Sequence, residues 1–225
     1  MQIGFVNWFL DFWLPTKCLL CANPPRQLCE ACKSLIGARP RLVSRPGLVG
    51  GVAAVDYRAD AKALVHHLKV LGAGSVSKFM ARHILDSLER LQAIEPMRAV
   101  LGKVYLVPVP SRPEITRVRG FVPSVLLARR LARCLNRAGV VAQVKPIARL
   151  DRQVRDQAGL NRQEREENLN GAMRATGPAT PEDSQVPVWL VDDVITTGAS
   201  LRELQRCLLG AGWNVQGFVT FAETL

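Results

Sequence analysis

Residues 188–200 read V-W-L-V-D-D-V-I-T-T-G-A-S, an apolar run that ends in two adjacent carboxylates and then in small residues around a glycine. Val188, Trp189, Leu190 and Val191 are β-branched, aromatic or aliphatic and follow Pro187, which predicts a strand buried in a parallel sheet. Asp192 and Asp193 then fall at its carboxyl end, where open α/β sheets place their ligands. Thr196, Thr197, Gly198, Ala199 and Ser200 are small enough for backbone N–H groups to approach a phosphate, and the helical spacing of Leu201, Leu204 and Leu208 begins at once. A phosphate held there rests on a helix N-terminus, favoured by unpaired N–H donors and by the macrodipole.

Two carboxylates beside a phosphate cradle repel the phosphate unless the ligand also carries hydroxyls or a divalent cation. A ribose 5-phosphate meets the demand: the acids accept from ribose hydroxyls while the loop holds the phosphate. The pattern resembles the signature of type I phosphoribosyltransferases, which bind phosphoribosyl pyrophosphate (PRPP), and covers strand, acid pair and loop without a gap. Asp192 and Asp193 are the catalytic candidates that the resemblance implies, with Mg2+ bridging the pyrophosphate and the ribose hydroxyls.

A second stretch repeats the logic. Residues 104–109 form an apolar run, followed by Arg112, Arg117, Arg119 and Gly120, and then by the helical stripe of Val125, Leu126, Leu127, Leu131 and Leu135. Guanidinium groups make bidentate contacts to phosphate oxygens, and glycine lets backbone amides close in. In phosphoribosyltransferases an equivalent loop holds the departing pyrophosphate. Arg119 and Gly120 are therefore the candidates for that role, with Arg112 and Arg117 as supporting charges.

Near the other end of the chain, Cys18, Cys21, Cys29 and Cys32 form C-x2-C-x7-C-x2-C. Two such knuckles complete a tetrahedral S4 site, closed to substrate and hence structural. A redox pair, disulfides and an iron–sulfur centre are the alternatives, and zinc is the expected ion. Cys134 and Cys207 fall on helical patterns and read as small buried residues.

Cysteines, the V-P-V-P strand, the R-G-F loop, the polar run 152–169 and the V-D-D-V-I-T-T-G-A-S loop follow one another in an order that resembles the ComF family. The resemblance implies a phosphoribosyltransferase-like fold with an N-terminal zinc module and a role in handling DNA taken up for transformation or as a nutrient. The family continues R-G-F with Asn-Gln, whereas Phe121 here is followed by Val122 and Pro123.

The expected class is thus α/β: a mostly parallel sheet with helices on both faces. It divides into an N-terminal helix and zinc module (1–37), a Pro/Gly linker (38–51) and the main domain (52–225). Residues 61–71 and 76–91 show helical periodicity; His66 and His67 point in different directions and are left unassigned, and His83 reads as packed. The run 152–169, with Gly159 as hinge, falls where related enzymes carry a mobile loop that closes over substrate.

Composition sets outer bounds. Of 225 residues 48% are hydrophobic, enough for a folded core and too many for a disordered chain. Lys and Arg outnumber Asp and Glu by 30 to 19, for a net charge of +11, which favours polyanionic partners such as PRPP or single-stranded DNA. The alternative to an enzyme is a binding protein that senses PRPP or grips single-stranded DNA; aromatics are only 6% and gather near the N-terminus, so direct DNA binding would have to be largely electrostatic. The zinc module could instead dock a protein of the uptake machinery. Residues 1–15 are apolar but carry Asp11, lack a basic n-region, and are too short to span a bilayer; they read as an amphipathic helix packed on the body or touching a membrane surface. With no transmembrane segment, a cytoplasmic protein is expected.

Overall fold

The computed structural model describes residues 17–24, 28–72, 74–99, 102–152, 154 and 161–224. Its centre is a six-stranded sheet ordered β1-β2-β8-β7-β3-β4. The strands are β1 (Arg41–Arg45), β2 (Leu48–Asp56), β3 (Lys103–Pro108), β4 (Val141–Val144), β7 (Val188–Ile195) and β8 (Val215–Glu223). Only β1 pairs antiparallel, with β2; every other neighbour is parallel. A separate two-stranded ribbon joins β5 (Ala148–Leu150) to β6 (Met173–Ala175).

Strand alternation divides the core in two. On β3, Val104 and Leu106 face a layer built from α2 (Ala59–Leu71), α3 (Gly74–Arg90) and α6 (Pro123–Arg137), where Leu64, Leu68, Met80, Ile84, Leu127 and Leu131 are fully buried. Tyr105 and Val107 face the other side, with Leu201, Leu204 and Leu208 of α8 (Ala199–Leu209). Each such side chain contributes roughly 1.5–3 kcal/mol by leaving water. The sheet is therefore mostly parallel with a helical layer on each face.

Three stretches differ from their sequence reading. Residues 41–45 and 48–51, inside the expected linker, are strand. Gly51 is a sheet residue because the Phe218 ring lies against it: a Cβ there would stand 2.4 Å from the ring. The R-G-F segment is not an open loop but contains α5 (Pro113–Arg119), which begins with Pro113 at its first turn and ends on Gly120 at φ 75°, whose N–H donates to the Thr116 carbonyl. Within the run expected to be a mobile loop, residues 162–169 form α7 (Arg162–Leu169), started by a capping box in which the Asn161 side chain accepts from the Glu164 N–H and Glu164 accepts from the Asn161 N–H. The hinge at Gly159 and the N-terminal helix over 1–15 lie outside the described residues. Among those described, no helix is long and apolar enough to cross a membrane.

Pro123 occupies the first turn of α6, where its missing N–H leaves no bond unmade. Ser124 next to it is buried and donates to the Val109 carbonyl at 2.6 Å, tying α6 to the end of β3. Val122-Pro123 is thus a helix start.

Candidate functional site

Parallel strands all end on one edge of the sheet, and the acid pair closes β7 there. Asp192 is half-buried and opens on a cavity of about 500 Å3, whose lining includes Asp193, Thr196, Ser200, Arg112 and Arg119. Asp193 is 5% exposed, and its N–H donates to Asp192 Oδ1 at 2.9 Å. Burial, and then the charge of Asp193, push Asp192 up to about 7. It therefore changes protonation near neutrality, where an ordinary aspartate is fully ionised.

The counter-ion is Lys69, near the end of α2, with Nζ 3.1 Å from Asp193 Oδ2. Burial opposes the ammonium, but Asp193 and Asp192 outweigh it and hold its pKa above the ordinary lysine value. The two residues stand 124 positions apart, and nothing local in the sequence marks the pair. Gly72 caps α2 at φ 57°, and the Phe121 ring sits where a Cβ would be, 2.9 Å away. The turn after Lys69 is so packed against the residue that follows Gly120.

The small-residue loop follows Ile195 directly. Gly198 is the N-cap of α8 with φ 79°. A Cβ on it would meet Arg45 Cγ and Leu48 Cδ2 at 3.4 Å. Arg45 Nε donates to the Thr196 carbonyl and Arg202 Nη2 to that of Thr197, both at 3.3 Å, while Arg45 Nη2 also grips Glu223 at 2.7 Å. Two successive carbonyls of the loop are thus held by arginines. The Ala199 N–H reaches Thr197 Oγ1 at 3.3 Å. Thr197, Gly198 and Ala199 line a small depression that shares Asp192, Thr196 and Ser200 with the larger cavity.

Of the candidates, then, Asp192, Asp193, Thr196, Ser200 and Arg119 share one cavity, and Thr197, Gly198 and Ala199 adjoin it. Gly120 lies outside its lining, and its N–H serves the α5 cap. Arg112 lines the cavity and Arg117 does not. Tyr57 and Lys69 are lining residues that the sequence reading did not select.

The four N-terminal cysteines form a second centre. Their Sγ atoms lie within 4.8 Å of one another, and Cys21 Sγ is 3.7 Å from Cys29 Sγ. A tetrahedral Zn–S4 site with bonds of about 2.3 Å has S···S edges of about 3.8 Å. N–H groups of Cys29 and Cys32 point at Cys18 Sγ and Cys29 Sγ, each at 3.4 Å, as they would to stabilise thiolates. Burial raises Cys18, but the N–H groups of Cys21, Cys29 and Leu20 prevail and hold it down to about 6. The cluster could hold a metal such as zinc. Cys29 also caps α1 (Glu30–Leu35). Leu28 and Ile36 enter the main core, and His67 Nε2 bonds the Leu19 carbonyl at 2.9 Å, so the module is fastened to α2.

Fold and site together define an α/β protein with an acid pair and an anion-compatible helix start on the carboxyl edge of a parallel sheet, joined to a four-cysteine module. No family model matches the chain. It is similar to DNA utilization protein YhgH of Salmonella typhimurium (strain LT2), 29% identical over 204 residues that cover 87% of this chain and 85% of that protein. It is also similar to DNA utilization protein YhgH of Salmonella typhi, 28% identical over 223 residues, covering 88% and 93%.

Proposed function

We propose that the chain is a PRPP-binding, phosphoribosyltransferase-like protein of the ComF family that serves the uptake or use of DNA. The observation that carries this reading is the convergence of Asp192, Asp193, Thr196, Ser200 and Arg119 on one cavity, with Thr197, Gly198 and Ala199 in the depression that adjoins it. The name shared by its two relatives supports the DNA half.

In this reading Asp192 and Asp193 accept hydrogen bonds from the ribose hydroxyls, and Thr196, Thr197, Gly198, Ala199 and Ser200 hold the 5-phosphate at the start of α8. Arg119, with Arg112, faces the pyrophosphate; Gly120 contributes by ending α5 so that Arg119 stands at the rim. Mg2+ would arrive with PRPP, and the carboxylate oxygens of the acid pair suit a hard cation. A nitrogen nucleophile would displace pyrophosphate at the anomeric carbon. A ribose hydroxyl that donates to Asp193 does so beside the Lys69 ammonium, so the buried carboxylate keeps its counter-ion.

Isothermal titration of PRPP with Mg2+ into wild type and Asp192→Asn/Asp193→Asn tests the proposal. Saturable binding that is lost in the double variant is expected, after which candidate bases are screened for pyrophosphate release. A folded, metal-loaded wild type that takes up no PRPP would refute it.

A further inference from the structure

Away from the acid pair, a groove of about 700 Å3 runs between the outer faces of α3 and α6 toward the cysteine module. Lys78 and Arg82 line it from α3, Arg130, Arg133 and Arg137 from α6, and Lys33 from the module; no carboxylate is among its lining residues. Lys33 pairs with Glu30 at 2.5 Å. Among the described residues the other five have no acidic partner within ion-pair distance.

This concentration works against the fold. Like charges three and four apart on a helix are mutually destabilising, and α6, P-S-V-L-L-A-R-R-L-A-R-C-L-N-R, carries no acid to relieve them. Arg130, Arg133 and Arg137 share one face over about 10 Å of helix, opposite Lys78 and Arg82. Phe79 of α3 also lines the groove, half-buried, with the His83 ring 4.0 Å from its own and Phe221 and the core behind it. Cations on both walls of a cleft, with an aromatic ring in its lining, match what a single strand requires: charge along its backbone and a surface on which a base can stack.

We infer that the α3/α6 groove binds the backbone of a single-stranded polynucleotide. The choice of partner rests on the DNA half of the reading above, but the surface is separate from the PRPP cavity. The two share no lining residue; a Cβ on Gly74, at the start of α3, would stand 3.2 Å from Arg130.

The test is fluorescence anisotropy of a labelled 20-nucleotide oligo-dT with the full-length, zinc-loaded chain across a salt series. Arg133→Gln/Arg137→Gln should weaken binding at least tenfold and flatten the log K against log salt slope by about 1.4, near 0.7 per lost phosphate contact. Lys62→Gln/Lys103→Gln, which removes the same charge from elements that do not line the groove, should change affinity less than threefold. Phe79→Leu should cost about fivefold or more with little change in slope, as loss of one stacking surface does. Equal losses in the groove and control variants would reduce the effect to net charge and overturn the assignment, as would unchanged binding by the groove variant. Competition by poly-glutamate as strong as that by oligo-dT at equal charge would overturn the polynucleotide in favour of an acidic protein. Titration with PRPP separates this from the earlier proposal: the groove variant should bind PRPP as the wild type does, whatever its affinity for the strand.

Discussion

Asp192→Asn should stabilise the protein, and more so as pH rises. An aspartate whose folded pKa is raised binds a proton more tightly folded than unfolded, so its contribution is present below the unfolded value and is lost as pH climbs through the folded one. For Asp192 the window runs from its ordinary 3.8 to about 7. Across that span the full cost of the charge is about 4 kcal/mol at about 1.4 kcal/mol per pH unit. Asp192 opens on the cavity, and water there screens the charge, so about half of that, ~2 kcal/mol, is expected at pH 8. Asparagine is neutral in both states and keeps the shape. For a chain of this size 1 kcal/mol moves Tm by about 2–4 °C, so the variant should melt about 6 °C higher at pH 8 and about 2 °C higher at pH 5. Paired thermal melts by circular dichroism, wild type beside variant at each pH, cancel the effect of acid on the metal site. A gain that is equal at both values, or a loss at pH 8, would refute the account of Asp192 as a buried, charge-crowded carboxyl.

Two further outcomes follow from the same geometry. Gly198→Ala forces a side chain into φ 79° with a Cβ 3.4 Å from Arg45 and Leu48, which should cost about 1–2 kcal/mol in urea denaturation and weaken PRPP binding in the same titration; a neutral substitution would show that the turn needs no glycine. For the cysteine centre, elemental analysis should find one zinc per chain, and chelation should lower Tm because Leu28 and Ile36 lose their anchorage in the core. Visible absorption from bound iron, or a melt indifferent to chelation, would contradict that assignment.

How much of this was legible in the sequence depended on whether a feature is local. The 188–200 stretch carries its own strand, acids and turn, so strand β7 and the start of α8 could be read where they stand. The cysteine pairs were equally self-contained. Gly51 misled because glycine signals both a linker and a close approach, and only the Phe218 ring, a partner distant in sequence, decides between them. The short helix α5 had signals that could have found it, Pro113 at its first turn and Gly120 just past its end. The capping pair Asn161 and Glu164 likewise announced α7. Lys69 opposite Asp193 and the two cationic rows of the groove had no local signal, since each arises where separate elements pack.

The place of β8 in the sheet has a consequence for how the protein is made. It follows β7 in the sequence yet lies between β2 and β7, with Gly51 paired to Phe218 on one side and Leu190 to the same residue on the other. Until residues 215–223 have been made, β2 and β7 each present a bare edge, and the half-sheets on either side have no means of joining. A product cut short after Gly212 would hold both halves of the sheet without the strand that unites them.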